Sequence, residues 1–269
     1  MPELPEVECV IRALKKNLIG QSIKSIKCTY KQMIKEDYDT FCTTLIGKEF
    51  RDITRKGKYI IFHLSNDTYL VSHLRMEGKY FLTLKNSISN PHILVEFETD
   101  DYTLYYQDVR KFGVMYTKTS ENLFTTEPLS KVANDPIEGV DVEEMYNKIK
   151  KLKKPIKETL LDQSIMSGLG NIYVDEVLFK AKISPLRKSC DISLNEVENI
   201  VSYSKEIFMF SIELGGTTIR SFTSSFHHIG HYQDKLLVHT KEYCPICGKK
   251  LEVIRIGGRS SYYCTNCQK

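Results

Sequence analysis

Cys244-Pro-Ile-Cys-Gly-Lys-Lys-Leu-Glu-Val-Ile-Arg-Ile-Gly-Gly-Arg-Ser-Ser-Tyr-Tyr-Cys-Thr-Asn-Cys267 carries two Cys-x2-Cys pairs with 16 residues between them. Two residues between members let a knuckle present both sulfurs to one ion, and four thiolates complete tetrahedral zinc. In a cytosolic chain this spacing reads as zinc and not as disulfides. The competing readings are two reactive Cys pairs or a chance pattern. Four protein ligands leave no open position, so Cys244, Cys247, Cys264 and Cys267 are expected to hold one structural zinc ion. Between the pairs, residues 249–256 and 259–263 read as strands and Gly257-Gly258 as a tight hairpin turn, which makes the segment a zinc ribbon. Arg259 follows the turn directly. With Lys249, Lys250 and Arg255 beside it, it forms either a phosphate-contacting face or a solvated basic one.

Upstream of the ribbon, residues 217–233 lack periodicity and hold many hydroxyl and ring side chains, which reads as a loop. Helical spacing of apolar residues covers roughly 142–152, 155–163, 172–181 and 193–214. Ser164-Ile-Met-Ser-Gly-Leu-Gly-Asn171 is the glycine-bearing turn between the second and third of these. Residues 119–140 are rich in Ser, Thr, Asn, Pro and Gly and read as a linker. Before them the period is two, as in Tyr59-Ile-Ile-Phe-His-Leu64, Tyr69-Leu-Val-Ser-His-Leu74, His92-Ile-Leu-Val-Glu-Phe97 and Tyr102-Thr-Leu-Tyr-Tyr106. Short strands joined by turns predict an antiparallel sandwich or barrel from Ile23 to Lys118. Residues 5–19 read as a helix, with Val7, Val10, Ile11, Leu14 and Leu18 on one face, Pro5 near its start and Gly20 past its end. The expected class is α+β: a β-sandwich domain with a flanking helix (1–130), a helical module (140–234) and the finger (235–269).

The bulk properties fit. The chain has 269 residues, 41% hydrophobic and 27% charged, which excludes a disordered or fibrous chain. No apolar run approaches the ~18–20 residues of a membrane span, and the acidic start lacks a signal peptide's basic and apolar regions. The expected address is the cytoplasm. Of the net charge of +4, residues 235–269 supply seven basic against two acidic groups, so a basic appendage rides on a near-neutral body. That distribution suits a polyanion such as nucleic acid. The scattered Cys9, Cys28, Cys42 and Cys190 read as small hydrophobes.

The N-terminus carries a second chemical signal. Removal of Met1 would leave Pro2 with a free secondary amine. An α-amino group titrates near ~8, so part of it is neutral at pH 7 and can attack an electrophilic carbon. Glu3 and Glu6 follow within about one turn as candidate acid/base groups.

Met1-Pro-Glu-Leu-Pro-Glu-Val-Glu8 resembles the opening of the bacterial formamidopyrimidine-DNA glycosylases. The resemblance recurs at Arg55-Lys-Gly-Lys-Tyr59, Ser72-His-Leu-Arg-Met-Glu-Gly78, Asp108-Val-Arg-Lys-Phe-Gly113, Leu160-Leu-Asp-Gln163, Gly168-Leu-Gly-Asn-Ile-Tyr173, Gly215-Gly-Thr-Thr218 and the ribbon itself. It implies a β-sandwich, a helix–two-turn–helix module and a zinc finger. It also implies a monomeric enzyme of base excision repair acting on damaged double-stranded DNA. Pro2 would form a Schiff base with the sugar, Glu3 would move protons, and Glu6 would support the site and contact DNA. Lys58 and Arg259 complete the residues expected to carry the reaction through the phosphates. Met76, Arg110 and Phe112 match the group that fills the hole left by a flipped base. Asn171 matches a phosphate binder at a helix start, Lys157 a basic residue near the lesion pocket, and His92 a DNA contact. The loop over 217–232 corresponds to a segment closing over an oxidised guanine.

The expected substrates are 8-oxoguanine opposite cytosine and formamidopyrimidines, with strand cleavage by β,δ-elimination. The nearest rival is the sister branch acting on oxidised pyrimidines; Leu4 and the Met76/Arg110/Phe112 trio favour the purine branch. A catalytically dead DNA binder and a ribbon protein unrelated to DNA are the other classes; the Pro2/Glu3/Lys58 set speaks against the first, and the second would leave the N-terminal match unexplained. The chain departs from the family pattern at Val109, Lys111, Asn90-Pro91-His92 and His239-Thr240-Lys241, where Pro, Arg, a His-rich stretch and Tyr-Gly-Arg are usual.

Overall fold

The structure, a computed structural model, describes residues 2–84, 90–217 and 230–269. Most of the loop expected over 217–233 lies outside them. The chain forms two compact units: Met1–Ser130 with Gly215–His231, and Lys131–Leu214 with Tyr232–Lys269.

The first unit opens with α1 (Leu4–Leu18) and continues through β1 (Ser25–Cys28), α2 (Tyr38–Leu45), β2 (Phe50–Lys56), β3 (Tyr59–Leu64), β4 (Thr68–His73), β5 (Lys79–Leu84), β6 (Ile93–Glu98), β7 (Tyr102–Gln107) and β8 (Val114–Lys118). The strands make two four-stranded sheets, ordered β1-β6-β7-β5 and β2-β3-β4-β8, and every pairing is antiparallel. Phe50, Ile53, Ile60 and Phe62 of one sheet share a core with Tyr80, Val95, Phe97, Leu104 and Tyr106 of the other. Phe62 and Tyr80 meet edge to face at 5.5 Å across it. Of the sandwich and the barrel that the period-two pattern allows, this is the sandwich. Val7, Val10, Ile11, Leu14 and Leu18 of α1 join the same core. Each such burial contributes roughly 1.5–3 kcal/mol, so the helix that carries the N-terminal residues is firmly seated.

One element departs from the sequence reading. Residues 38–45 form α2 inside the stretch read as strands. Asp37 caps it by accepting the Thr40 N–H, and Phe41 and Leu45, four apart, face the core. The Asp37 carboxyl is held below its ordinary range by the Thr40 N–H and hydroxyl.

The second unit contains α3 (Val142–Ile149), α4 (Ile156–Leu160), α5 (Asn171–Lys180), α6 (Leu194–Glu213) and the hairpin β9 (Glu252–Ile256) and β10 (Arg259–Tyr263). The second helix, expected over 155–163, stops at Leu160. Asp162 takes the Ser164 N–H and hydroxyl into a local turn that competes with the helix. Ser193 and Glu196 form a capping box at the start of α6. The Arg187 guanidinium beside Glu196 holds that carboxyl down to about 2. Among the described residues no helix is long and apolar enough to cross a membrane.

Candidate active site and nucleic-acid interface

Pro2 and Glu3 sit buried at the head of α1, where Pro5 occupies a first-turn position that needs no amide hydrogen. Glu6 organises this end. Its Oε2 accepts the Glu3 N–H at 2.8 Å, and its Oε1 accepts the Thr217 N–H and hydroxyl at 2.8 and 2.9 Å. The approach of the Gly215-Gly216-Thr217 segment depends on glycine. Gly216 has φ +81°, and a Cβ there would stand 3.0 Å from Glu6 Oε1. Behind this end, Glu8 bridges Arg12 of α1 and Arg55 of β2, whose side chain is only 9% exposed, at 2.9 and 3.0 Å, and so ties helix to sheet.

Lys58 lies in the two-residue turn Gly57-Lys58 between β2 and β3, where Lys56 pairs with Tyr59 and Gly57 takes φ +55°. It is buried, with 7% of its surface exposed. Such a position does not suit an ordinary solvated strand lysine. His73 at the end of β4 is buried near it, and its Nδ1 accepts the Arg75 N–H at 2.9 Å. Burial, reinforced by the positive charges of Arg75 and Lys58, pushes the imidazole down to about 3. It is therefore neutral at physiological pH, with its hydrogen on Nε2. The sequence reading assigned His73 no role. Its only signal was its place in the Ser72–Gly78 motif.

Two loops present the wedge candidates. Met76 and Phe112 are 38% and 51% exposed, unusual for large apolar side chains beside a core, and Arg110 stacks its guanidinium 4.8 Å above the Phe112 ring. The second loop is built around Asp108, fully buried, whose carboxylate accepts the N–H groups of Arg110, Phe112 and Gly113 at 2.9–3.0 Å. Arg75 and Lys111, one in each loop, adopt left-handed φ of +56° and +58°. The loops close over one hydroxyl: a Cβ on Gly78 or Gly113 would overlap Tyr106 Oη. His92 is half-buried next to them, its carbonyl accepting the Asp108 N–H. Val109 is 50% exposed.

In the second unit, Gln163 shapes the turn into α5. Its amide donates to the Leu161 and Leu169 carbonyls and its oxygen accepts the Gly168 N–H. Gly168, at φ +99°, makes the reversal possible. Asn171 is the first residue of α5, and its Nδ2 donates to the Ser260 carbonyl of β10 at 3.0 Å. An amide NH2 has a second hydrogen to give. Arg259 is exposed at the start of β10, directly after Gly257-Gly258, whose φ values of +54° and +76° suit a tight hairpin turn.

Lys157, expected near the lesion pocket, sits between α5 and the finger hairpin. It is fully buried, and its Nζ bonds Asp175 Oδ1 at 2.7 Å and the Ser260 carbonyl at 3.0 Å. An ammonium enclosed this way braces the finger hairpin against α5.

The four ribbon cysteines meet as the spacing requires. Their sulfurs lie within 4.8 Å of one another, with Cys244–Cys267 at 3.8 Å and Cys247–Cys264 at 3.5 Å. A Zn–S bond of about 2.3 Å gives a tetrahedron with edges of about 3.8 Å, so the sulfurs fit one zinc ion.

Models of known families match in the same three pieces: the formamidopyrimidine-DNA glycosylase N-terminal domain over residues 1–115, that enzyme's H2TH domain over 132–223, and a zinc finger found in FPG and IleRS over 241–269. A formamidopyrimidine-DNA glycosylase of an Exiguobacterium species is 42% identical, covering 100% of both chains. One from Mycoplasma genitalium is also 42% identical, covering 100% of this chain and 96% of that one. The chain belongs to the formamidopyrimidine-DNA glycosylase family. A Lactococcus lactis FPG mutant in complex with a Fapy-dG-containing DNA superposes with a TM-score of 0.94 at 37% identity, each chain covered in full. The same organism's Fpg with an abasic-site DNA gives 0.93 at 36%, again over all of both chains.

As a glycosylase of this family the protein works in base excision repair. The sandwich, helical module and finger inferred from the sequence are the parts of this family's enzymes. Its departures at Val109 and Lys111 fall in the exposed arc of the Asp108 loop and leave the Asp108 hydrogen bonds in place. The departure at His239 is buried, where the imidazole meets Asp175 Oδ2 at 2.8 Å.

Proposed function

We propose that the protein is a bifunctional glycosylase and abasic-site lyase for oxidised purines, 8-oxoguanine opposite cytosine and formamidopyrimidines, acting as a cytoplasmic monomer on duplex DNA. The observation that carries this reading is the buried Pro2-Glu3 pair at the head of α1, anchored through Glu6 to Gly216-Thr217. That anchoring presets where an amine on Pro2 and a carboxyl on Glu3 sit relative to one another, which is what a two-group reaction needs.

With Met1 removed, the Pro2 nitrogen attacks C1′ of a nucleotide flipped out of the stack. The C1′–N bond to the base breaks and the base leaves with the electron pair, taking up a proton as the attacking amine gives one up. Glu3 protonates the ring oxygen as the sugar opens, and the nitrogen lone pair forms the iminium. Loss of a C2′ proton then expels the 3′ phosphate, and a second elimination expels the 5′ phosphate, leaving a one-nucleotide gap. Lys58 holds a phosphate near the reacting sugar, and the neutral His73 can donate a hydrogen bond from Nε2 without adding charge. Met76 and Phe112 fill the vacated stack while Arg110 bonds the orphaned cytosine. Asn171 and Arg259 hold the backbone, and His92 touches DNA beside the Asp108 loop. The relatives solved with Fapy-dG and abasic-site DNA support this substrate class.

Borohydride trapping tests the reading. Incubation with an 8-oxoguanine:cytosine duplex should yield a reduced covalent complex mapping to Pro2, stronger than with an oxidised-pyrimidine duplex. The reverse preference would move the protein to the pyrimidine branch. No complex on either duplex, with Met1 shown absent by intact mass, would overturn the lyase chemistry.

A further inference from the structure

Asn171 and Asp175 are four residues apart on α5, so they share one face of the helix. That face meets the outer edge of β10. Asn171 donates to the Ser260 carbonyl, and Asp175 Oδ2 accepts the Tyr262 N–H at 3.3 Å. Ser260 and Tyr262 alternate with the residues that a two-stranded ladder bonds to its partner, so their amide and carbonyl groups face the same free edge. α5 therefore takes the place of a third strand along the ribbon.

Asp175 is almost fully buried and has two further partners. Lys157 Nζ lies at 2.7 Å from Oδ1 and also holds the Ser260 carbonyl, and His239 Nδ1 lies at 2.8 Å from Oδ2 with its ring edge-on to Tyr262 at 5.0 Å. A buried carboxylate without such partners would be costly. Facing an acceptor-only carboxylate, His239 Nδ1 carries the hydrogen. Ser260 is the residue after Arg259. The backbone position from which the exposed guanidinium reaches is thus set by a network lying wholly behind it, and His239 is a member the family pattern does not supply.

We propose that Asp175, with His239 and Lys157, is a positioning group for DNA binding: it pins the outer edge of β10 on α5 so that Arg259 and Asn171 engage the same stretch of backbone. This rests on the reading of Arg259 as a phosphate contact.

The test uses the full-length zinc-loaded protein and a duplex with a stable abasic-site analogue. Dissociation constants are measured across a salt series for wild type, His239→Leu, His239→Asn and Arg259→Ala, together with zinc content and hydrogen exchange at the Tyr262 amide. His239→Leu should raise Kd about tenfold and flatten the salt slope by about 0.9, as the loss of one phosphate contact would. His239→Asn, whose amide can place a donor where Nδ1 was, should recover most of the affinity. In the Arg259→Ala background His239→Leu should change Kd less than about twofold, because the contact it positions is already gone. Tyr262 exchange should rise in His239→Leu without DNA present. Should His239→Leu fail to hold zinc, Asp175→Asn is read in its place with the same expectations. Wild-type affinity in a zinc-loaded His239→Leu, or a full penalty persisting in the Arg259→Ala background, overturns the proposal while leaving the phosphate reading intact. An Arg259→Ala protein that binds as wild type overturns the phosphate reading and the proposal together.

Discussion

Glu6 shows how much one side chain can decide. Its carboxylate is 1% exposed and takes hydrogen bonds from the Glu3 N–H and from the amide and hydroxyl of Thr217, 211 residues away in sequence. A buried amide left without an acceptor costs about 1–3 kcal/mol. Glu6→Ala should therefore destabilise the first unit by about 2–5 kcal/mol in urea denaturation, and borohydride trapping should fall with it. Unchanged stability would mean that the Thr217 segment is held by something else. His73 sets a pH dependence. Its folded value of about 3 lies below the ordinary histidine value of 6.5. The stabilisation is present in full above 6.5 and drains away as pH falls from 6.5 toward 3, because the unfolded chain takes up a proton that the folded one refuses. Over that window each pH unit should cost up to about 1.4 kcal/mol. His73→Asn, which preserves an acceptor for the Arg75 N–H, should show a shallower acid slope than wild type. Parallel slopes would show that His73 titrates normally.

Among the elements, the pair of loops around Tyr106 offers a sharp test. Tyr106 Oη is a buried hydroxyl without a hydrogen-bond partner among the described residues, and it touches the space that a Cβ on Gly78 or Gly113 would need. Gly113→Ala should lower stability by about 1–3 kcal/mol through overpacking. Tyr106→Phe should leave stability within about 1 kcal/mol of wild type or raise it, since an unsatisfied group is removed. In the double variant part of the Gly113→Ala loss should return, a coupling readable in a denaturation cycle; strict additivity would show that the loop yields elsewhere. This arrangement was not legible in the sequence, although its ingredients were. Phe112 and Met76 stood out only through the motifs around them, since an exposed and a buried apolar residue look alike in a sequence. The period-two signal found the strands from Tyr59 onward, but α2 escaped it: eight residues with only Phe41 and Leu45 on the buried face are too short a run for helical spacing to show, and the Asp37 cap was the one local clue. The partners of Lys157 were hidden for the opposite reason. A lysine in a lysine-rich stretch reads as a solvated or DNA-facing cation, and only the fold brings Asp175, 18 residues on, against it.

For the molecule as a whole, what the sequence made plainest was what lies close together along it: the Cys-x2-Cys pairs, the Gly-Leu-Gly-Asn turn and the helix behind Pro2. What it withheld was long-range: Glu6 with Thr217, and α5 with the ribbon edge. Those long-range links decide what zinc does. The hairpin buries little of its own: Cys244, Leu251 and Cys264 form a small cluster with Val238, just upstream of the first cysteine pair, and Phe179 of α5. Gln268 and Lys269 tie the end of the chain to Ile183, Lys182 and Ser184. A core that small cannot hold four thiols together unaided, whereas zinc contributes on the order of 10–16 kcal/mol to isolated fingers. Removing zinc with a strong chelator should therefore release β9 and β10 and, with them, the Ser260 carbonyl and Tyr262 amide that meet Asn171, Asp175 and Lys157. Hydrogen exchange should rise across 241–269 and at the start of α5, while the sandwich core around Phe62 and Tyr80 stays protected. Affinity for an abasic-site duplex should fall by more than Arg259→Ala alone produces, since the released ribbon also withdraws the basic Lys249, Lys250 and Arg255. Protection retained across β10 after zinc removal would mean that the α5 contacts suffice to hold the ribbon, and the metal would then be a reinforcement of a finger already folded.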